Sequence, residues 1–395
     1  MKSKLEELIE KLCPNGVEYK KFEDICRYIR GITYNKLQET TDVINSIKVL
    51  RANNITLSSN SLNFEDIKLV SKDVKINENQ RFQIGDILIC AGSGSKEHIG
   101  KIAYISEKID YTFGGFMAVI RCNKEVLNSR FLFHIIAGSS FSQYLKKVLN
   151  SSTINNLSNS VIKNFLIPIP PIEVQEEIAR ILDELTEATT KLITELTTEL
   201  TLRKQQYEYY RDELLTFGDE VEWKNLGEIL KIKNGKDYKK YNIGEIPVYG
   251  SGGIIAHIDT FIFDKASVLI PRKGSIDKLY YVDKPFWTVD TIFYTEIKEN
   301  MVIPKFIFYY LQKEHLEKYN TAGGVPSLTQ SVLNKIPIPI PPLEEQQRIV
   351  DILDRFNKLV NDIKEGLPAE IKMRQKQYEY YRDKLLNFKK LDVEG

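Results

Sequence analysis

The chain contains itself twice, and this repeat limits what it can fold into more than any other feature. Ile167 to Asp183 reads IPIPPIEVQEEIARILD, and Ile338 to Asp354 reads IPIPPLEEQQRIVDILD. Arg203 to Phe217 reads RKQQYEYYRDELLTF, and Arg374 to Phe388 reads RQKQYEYYRDKLLNF. Both pairs stand 171 residues apart, so about 50 residues recur with no insertion or deletion between the matching blocks. A fainter echo, VEYKKFEDI at 17–25 and VEWKNLGEI at 221–229, is offset by 204. The first intervening segment is therefore 204 − 171 = 33 residues longer than the second. Length is constant in one part and drifts in the other. Duplication followed by loop drift accounts for that pattern; so does a repeated part that works as a ruler.

Each repeat opens with IPIP, where paired prolines forbid helix and favour an extended chain. Pro171 and Pro342 suit a first helical turn. Glu173, Glu176, Glu177, Glu344 and Glu345 follow where carboxylates suit the helix dipole. Apolar residues then recur at roughly heptad spacing: Ile178, Ile181, Leu182, Leu185, Leu192 and Leu196, matched by Ile349, Ile352, Leu353, Phe356, Leu359 and Ile363. A helix over about 172–216 would be on the order of 65 Å long. Its apolar face is too narrow to stand alone in water, so the two copies are expected to pair antiparallel. Gly366-Leu367-Pro368 replaces Glu195-Leu196-Thr197 of the first copy, which predicts a kink or break there. The QYEYYRD tails put Tyr207 and Tyr210, and Tyr378 and Tyr381, on one side of their helices. Tyrosine packing along the helix seam and a docking surface for another subunit both fit.

The intervening segments, 17–163 and 221–334, are rich in β-branched and aromatic residues with Gly and Asn turns. Strands are predicted over 86–90, 101–105 and 118–121, and in the same order over 267–270, 278–282 and 291–294. Helices are predicted over 129–137 and 304–311. This pattern reads as α+β with a largely antiparallel or mixed sheet. Lys and Arg against Asp and Glu give 19 − 14 = +5 over 17–160, 6 − 11 = −5 over 161–217 and 15 − 15 = 0 over 218–332. Lys231, Lys233, Lys236, Lys239 and Lys240 fall within ten residues around Asn234-Gly235. Such a cluster suits a phosphate clamp, or a solvated sheet edge that lysine protects from aggregation. Arg272-Lys273-Gly274-Ser275 after SVLIP is similar to Gly92-Ser93-Gly94-Ser95-Lys96 after DILIC. Gly250-Ser251-Gly252-Gly253 is a third loop of this type. Small residues allow close backbone approach, and Arg and Lys reach phosphates or base edges.

Other classes find little support. A length of 395 residues suggests two or three domains, and 42% hydrophobic with 28% charged residues is an ordinary globular composition. No apolar run approaches the ~18 residues of a membrane span. MKSKLEELIEKL lacks the apolar core of a signal peptide, so a cytoplasmic location with reduced thiols is expected. Four Cys and four His show no metal-ligand spacing. GSGSKEHIGKIA misses a phosphate-binding loop by one glycine position, and Ile102 stands where Ser or Thr would ligate magnesium. IPIPP lacks the Asn or Asp of an amino-methyltransferase NPPY tetrad. Asp283 with Glu296-Ile297-Lys298 imitates a nuclease D…ExK only by a common dipeptide spacing. No catalytic and no metal residues are assigned.

The alternation of variable segment and repeated helix resembles the specificity (S) subunit of type I restriction-modification systems. It does so through IPIPPIEVQEEIARILD, IPIPPLEEQQRIVDILD and both QYEYYRD tails. LCPNGVEY resembles that family's N-terminal entry. VLIPRKGSIDKLYYVDKPFWTVDTIFY resembles its target-recognition motif, with Asp277 where glycine is common. The resemblance implies two target-recognition domains, 1–163 (with an N-terminal helix) and 218–334. Each would read half of a split double-stranded DNA target. It implies two long antiparallel coiled-coil helices, 164–217 and 335–395, related by a pseudo-twofold, which set the half-site spacing and dock partners. Those partners would be two modification (M) subunits and restriction (R) subunits. S-adenosylmethionine, ATP and Mg would then belong to the partners, with no cofactor in this chain. Expected DNA contacts are Arg30, Arg51, Lys96 and Lys101 in the first domain, and Lys236, Lys239, Lys240, Arg272, Lys273 and Ser275 in the second. Tyr207, Tyr210, Tyr378 and Tyr381 are expected to dock partners. The competing readings are a coiled-coil adaptor with no nucleic-acid role and a self-sufficient methyltransferase or nuclease.

Overall fold

The IPIP stretches are strands, and each pairs with one copy of the fainter echo. Leu166–Ile169 runs antiparallel to Glu18–Lys21, and Pro337–Ile340 to Glu222–Asn225. Both sheets have only two strands, so the missing proline N–H groups face no second partner. These pairs begin and end two units of the computed structural model, which describes residues 2–57, 59–93, 98–150, 156–320, 322–361 and 366–391. Unit 1 comprises 1–195 and 372–395, and unit 2 comprises 196–371.

In unit 1 a four-stranded antiparallel sheet runs in the order Cys26–Arg30, Met117–Cys122, Ile87–Cys90, Ile102–Tyr104. Ile87 and Ile89 face a core with Phe131, Leu132, Ile178 and Leu182. Leu88 and Cys90 point the other way, to Leu50 and Phe113. Burial on both faces explains why this strand is apolar at every residue. A smaller sheet follows the order Lys68–Ser71, Ser46–Leu50, Thr112–Phe113, antiparallel then parallel. Unit 2 repeats this plan. Its larger sheet is Leu230–Asn234, Ile292–Ile297, Ser267–Pro271, Tyr280–Val282; its smaller is Gly253–Ile258, Ile243–Gly250, Trp287–Thr288. The larger sheets are therefore antiparallel and the smaller ones mixed, with one parallel pairing in each smaller sheet. Much of the extra length of unit 1 lies between the first two strands of the smaller sheet: residues 51–67 link them there, whereas Ser251-Gly252 suffices in unit 2.

The first repeated helix spans Ile172–Leu214 without interruption, beginning in unit 1 and ending in unit 2. Pro171 precedes the first turn instead of lying in it, and its carbonyl accepts the N–H groups of Val174 and Gln175. Pro342 likewise accepts Gln346 N–H. The second copy is two helices, Leu343–Asn361 and Leu367–Leu385. Gly366 caps the latter by accepting Ala369 N–H, so the interruption falls at the expected place. The chain thus leaves unit 1 along one repeat and returns to it along the other. There its end takes up the role that residues 217–218 play in unit 2. Tyr19 hydroxyl donates to Phe388 O, as Trp223 Nε1 does to Gly218 O, and Val17 exchanges backbone hydrogen bonds with Lys389 and Leu391.

Two residues at the start of each repeat bolt it to the sheet-and-helix body. Gln175 is fully buried: its amide donates to Pro170 O and Val126 O, and its Oε1 accepts Asn128 N–H at 2.8 Å. Gln346 does the same to Pro341 O, Met301 O and Ile303 N–H. About two turns further along, both Asp183 and Asp354 grip the helix that lies on the sheet. Asp183 accepts Arg130 Nε and His134 Nε2, both at 2.7 Å. Asp354 accepts Lys305 Nζ and Tyr309 hydroxyl, both at 2.6 Å. Replacing Gln175 with Leu strands one N–H and two carbonyls in the core. A loss of about 2–4 kcal/mol is expected in chemical denaturation, and a loss below about 0.5 would contradict the role.

His134 is fully buried, and burial pushes its imidazole below the usual value against the pull of Asp183. Burial works to raise Asp183, but the hydrogen bonds from His134 and Arg130 outweigh it and hold the carboxyl low. The pair is therefore neutral imidazole with Nε2–H donating to carboxylate. Both folded pKa values lie below the unfolded ones, so the unfolded state binds protons first as pH falls. The stability from His134 is complete above about pH 6.5 and is lost as pH drops through its folded pKa. His134→Tyr, which copies Tyr309, should flatten the decline in denaturation midpoint between pH 7.5 and 5.5. A decline equal to that of the unaltered protein would exclude His134 as its source.

Candidate nucleic-acid interface

At one end of each larger sheet two loops cross at closer than side-chain distance. In unit 1, Ile32 N–H donates to Phe113 O at 2.8 Å; a Cβ on Gly31 would lie 2.2 Å from the carbonyl oxygens of Phe113 and Gly114. In unit 2, Lys236 N–H donates to Thr288 O at 2.8 Å, and a Cβ on Gly235 would lie 2.1 Å from Val289 O. Only glycine fits at either crossing. Beside the unit 1 crossing lies a cleft of 810 Å³ lined by Tyr34, Arg51, Ser93, Gly115 and Phe116, among others.

The expected unit 1 cations are distributed unevenly around this cleft. Arg51 lines it, paired with Asp66 at 2.8 Å, and its Nε is buried without a partner among the described residues. Arg30 is spent on the loops themselves: Nη2 donates to Gly115 O at 2.7 Å and Nη1 to Asn156 Oδ1 at 3.2 Å. Lys101 lies in a separate groove with Leu57, Ile136 and Phe141. Lys96 falls outside the described residues.

In unit 2 the arginine comes from a different strand. Arg272 and Lys273 N–H donate to Thr291 O as Ala91 and Gly92 N–H donate to Phe116 O. Arg272 O accepts Leu328 N–H as Ala91 O accepts Leu157 N–H. This register pairs Arg272 with Ala91 and Lys273 with Gly92, one residue away from the match of RKGS to GSGS. The Arg272 guanidinium sits 5.8 Å from the Phe293 ring centroid and makes no ion pair among the described residues. Gly274 turns the chain at φ +86°, and its N–H donates to Pro326 O; Ser275 accepts Lys278 N–H on its carbonyl. Asp277 has no positive φ, so a glycine is not needed there. The lysine cluster divides in two. Lys231 and Lys233 lie on the edge strand of the sheet, Lys233 3.6 Å from Glu296. Lys236, Lys239 and Lys240 are exposed in the loop after it, and Lys240 lies 5.0 Å from the Tyr241 ring.

The tyrosines also divide. Tyr207 is buried in the unit 2 core, which pushes its hydroxyl up to about 12. Tyr378 hydrogen-bonds Thr186 Oγ1 at 2.9 Å in unit 1. Tyr210 and Tyr381 are about two-fifths exposed, and Tyr210 stacks on Phe356. Tyr209 and Tyr380, absent from the expected set, are the most exposed of the tails at 61% and 62%. Phe116, also outside the expected set, is 74% exposed at the cleft. Its place in GGFMAV, at the entry to a buried strand, carries no pattern that marks it.

Comparison with known proteins identifies this architecture. The type I restriction modification DNA specificity domain matches residues 14–202 and again 218–373. The chain belongs to that family. A putative type I restriction enzyme specificity subunit of Haemophilus influenzae is 36% identical over 290 residues, covering 67% of this chain and 74% of the relative. The Escherichia coli EcoR124I/EcoR124II specificity subunit is 38% identical over 268 residues, 59% of this chain and 65% of that one. Among solved structures, a chain of a type I R-M complex superimposes with a TM-score of 0.71 at 18% identity, over 95% of this chain and 98% of that one. The HsdS subunit of Thermoanaerobacter tengcongensis gives 0.53 at 18% identity, over 95% and 97%. The two specificity-domain matches coincide with the two copies of the sheet plan. Among the described residues, no helix is long and apolar enough to cross a membrane, and no group of three or more His, Cys, Asp or Glu could hold a metal.

The crossing itself is testable. Gly31→Ala and Gly235→Ala should each open their own unit's loop pair, seen as faster hydrogen exchange at Ile32 or Lys236 N–H respectively. Unchanged protection at both amides would mean that the loops absorb a Cβ and the crossing is not tight.

Proposed function

We propose that this chain is the DNA sequence-specificity subunit of a type I restriction-modification complex, in which each unit's sheet end reads one half of a split duplex target. One observation carries the reading: the same glycine crossing in both units presents different side chains. Arg51 and Phe116 stand at one, and Lys236 and Arg272 at the other. A constant scaffold with exchanged loop chemistry is what two readers of different bases require. In this reading the chain is non-catalytic and works in the cytoplasm. Two M subunits and R subunits supply S-adenosylmethionine, ATP and Mg chemistry, and the exposed faces of the tyrosine tails dock them. The uninterrupted helix Ile172–Leu214 is the spacer between the readers.

Lys236, Lys239, Lys240 and Lys273 hold phosphates, and Ser275 lies beside them. Arg272, which makes no ion pair among the described residues, takes a base edge. Binding by the assembled complex to cognate and scrambled duplexes across a salt series tests this division. Each Lys→Ala should weaken both duplexes alike and lower the salt slope by about one. Arg272→Ala should cost ~1–3 kcal/mol on the cognate duplex alone. Equal loss on both duplexes would return Arg272 to a backbone contact. Failure of every substitution to alter binding would leave the adaptor reading.

A further inference from the structure

Phe116 presents its ring to solvent from a segment whose backbone is bonded at every residue. Gly114 N–H donates to Leu50 O at 3.0 Å, and Gly114 O accepts Met117 N–H at 2.7 Å. Gly115 O accepts Arg30 Nη2. Phe116 O accepts the N–H groups of both Ala91 and Gly92 at 2.9 Å. The backbone that carries the ring is thus fixed, and Phe116 stands 74% exposed at the cleft. The loop crossing does not need that ring: in unit 2 the equivalent carbonyl, accepting Arg272 and Lys273 N–H, belongs to Thr291.

Resting on the DNA reading above, we propose that Phe116 is a specificity-determining residue that reads the C5-methyl group of a thymine in the first unit's half-site. Thymine alone offers an apolar group in the major groove, and an exposed phenyl face is complementary to it. Arg51 lines the same cleft, its Nη2 paired with Asp66 at 2.8 Å. Arg30 is then a positioning residue: it holds Gly115 and touches no base. A ring used as a wedge between base steps would instead kink the duplex.

The test uses the assembled complex and its methylation target, with each thymine of both half-sites replaced in turn by uracil. That change removes one methyl group and nothing else. At one thymine, in one half-site, uracil should weaken binding about fourfold. Phe116→Ala and Phe116→Thr, the second copying unit 2, should weaken cognate binding at least as much, leave scrambled DNA unaffected, and abolish the uracil effect. Uracil sensitivity that persists in both variants overturns the proposal, as does weakening of cognate and scrambled duplexes alike. A half-site pair with no uracil-sensitive thymine overturns it too, and a Phe116-dependent bend without uracil sensitivity assigns the wedge instead. If the unaltered complex fails to prefer its cognate duplex, the DNA reading falls rather than the assignment of Phe116. Arg30→Lys should reduce the uracil effect in parallel with faster hydrogen exchange at Met117 N–H; a reduced effect with unchanged exchange would make Arg30 a base contact.

Discussion

A buried glutamine and a half-buried aspartate, repeated 171 residues apart, hold each sheet domain to the helix that follows it. Gln175 and Gln346 saturate three backbone groups apiece in places water does not reach. Leaving any of them unpaired would cost more than making the bond gains, so the joint has essentially one geometry. Asp183 and Asp354 then fix the rotation of the same helix against its neighbour. Here the partners have changed while the carboxylate has not: Arg130 and His134 in one unit, Lys305 and Tyr309 in the other. The joint tolerates different donors but needs an acceptor at that turn.

A fixed joint explains why length drifts only in the other part. Everything between the strands can vary if the sheet and its helix stay in register, and the longer linker of unit 1 between residues 51 and 67 is such a variation. The glycine crossing marks the limit of that freedom. Beyond it the side chains differ: Phe116 in one unit and Thr291 in the other rest on the same carbonyl geometry.

The repeat and its periodicity made most of this architecture legible in the sequence. The helix Ser129–Ala137 runs as its apolar spacing predicts, and the prolines place Leu166–Ile169 and Pro337–Ile340 as extended chain. The glutamines were hidden because a polar residue near a helix start reads as solvated. The available signal was position, since Gln175 lies three residues before Ile178 on the buried stripe and recurs in the second copy. Side-chain destinations were less legible still. Arg30 and Arg51 both sit at strand ends, where sequence cannot distinguish a guanidinium bonded to its own loops from one facing a cleft. Lys101 follows a glycine like a loop cation, yet its place just before the strand Ile102–Tyr104 puts it in another groove. The assignment of the tyrosines depended on helix phase: one residue separates the buried Tyr207 from the exposed face that begins at Glu208 and continues through Tyr209.

In the proposed function, a constant joint carries two independent readers. It is tested most directly by replacing residues 17–163 with the corresponding segment of a relative, keeping both repeats, and mapping methylated sites across a genome that carries the hybrid. One half of the recognition sequence should change, while the other half and the gap between them stay the same. A change in both halves, or in the gap, would contradict it.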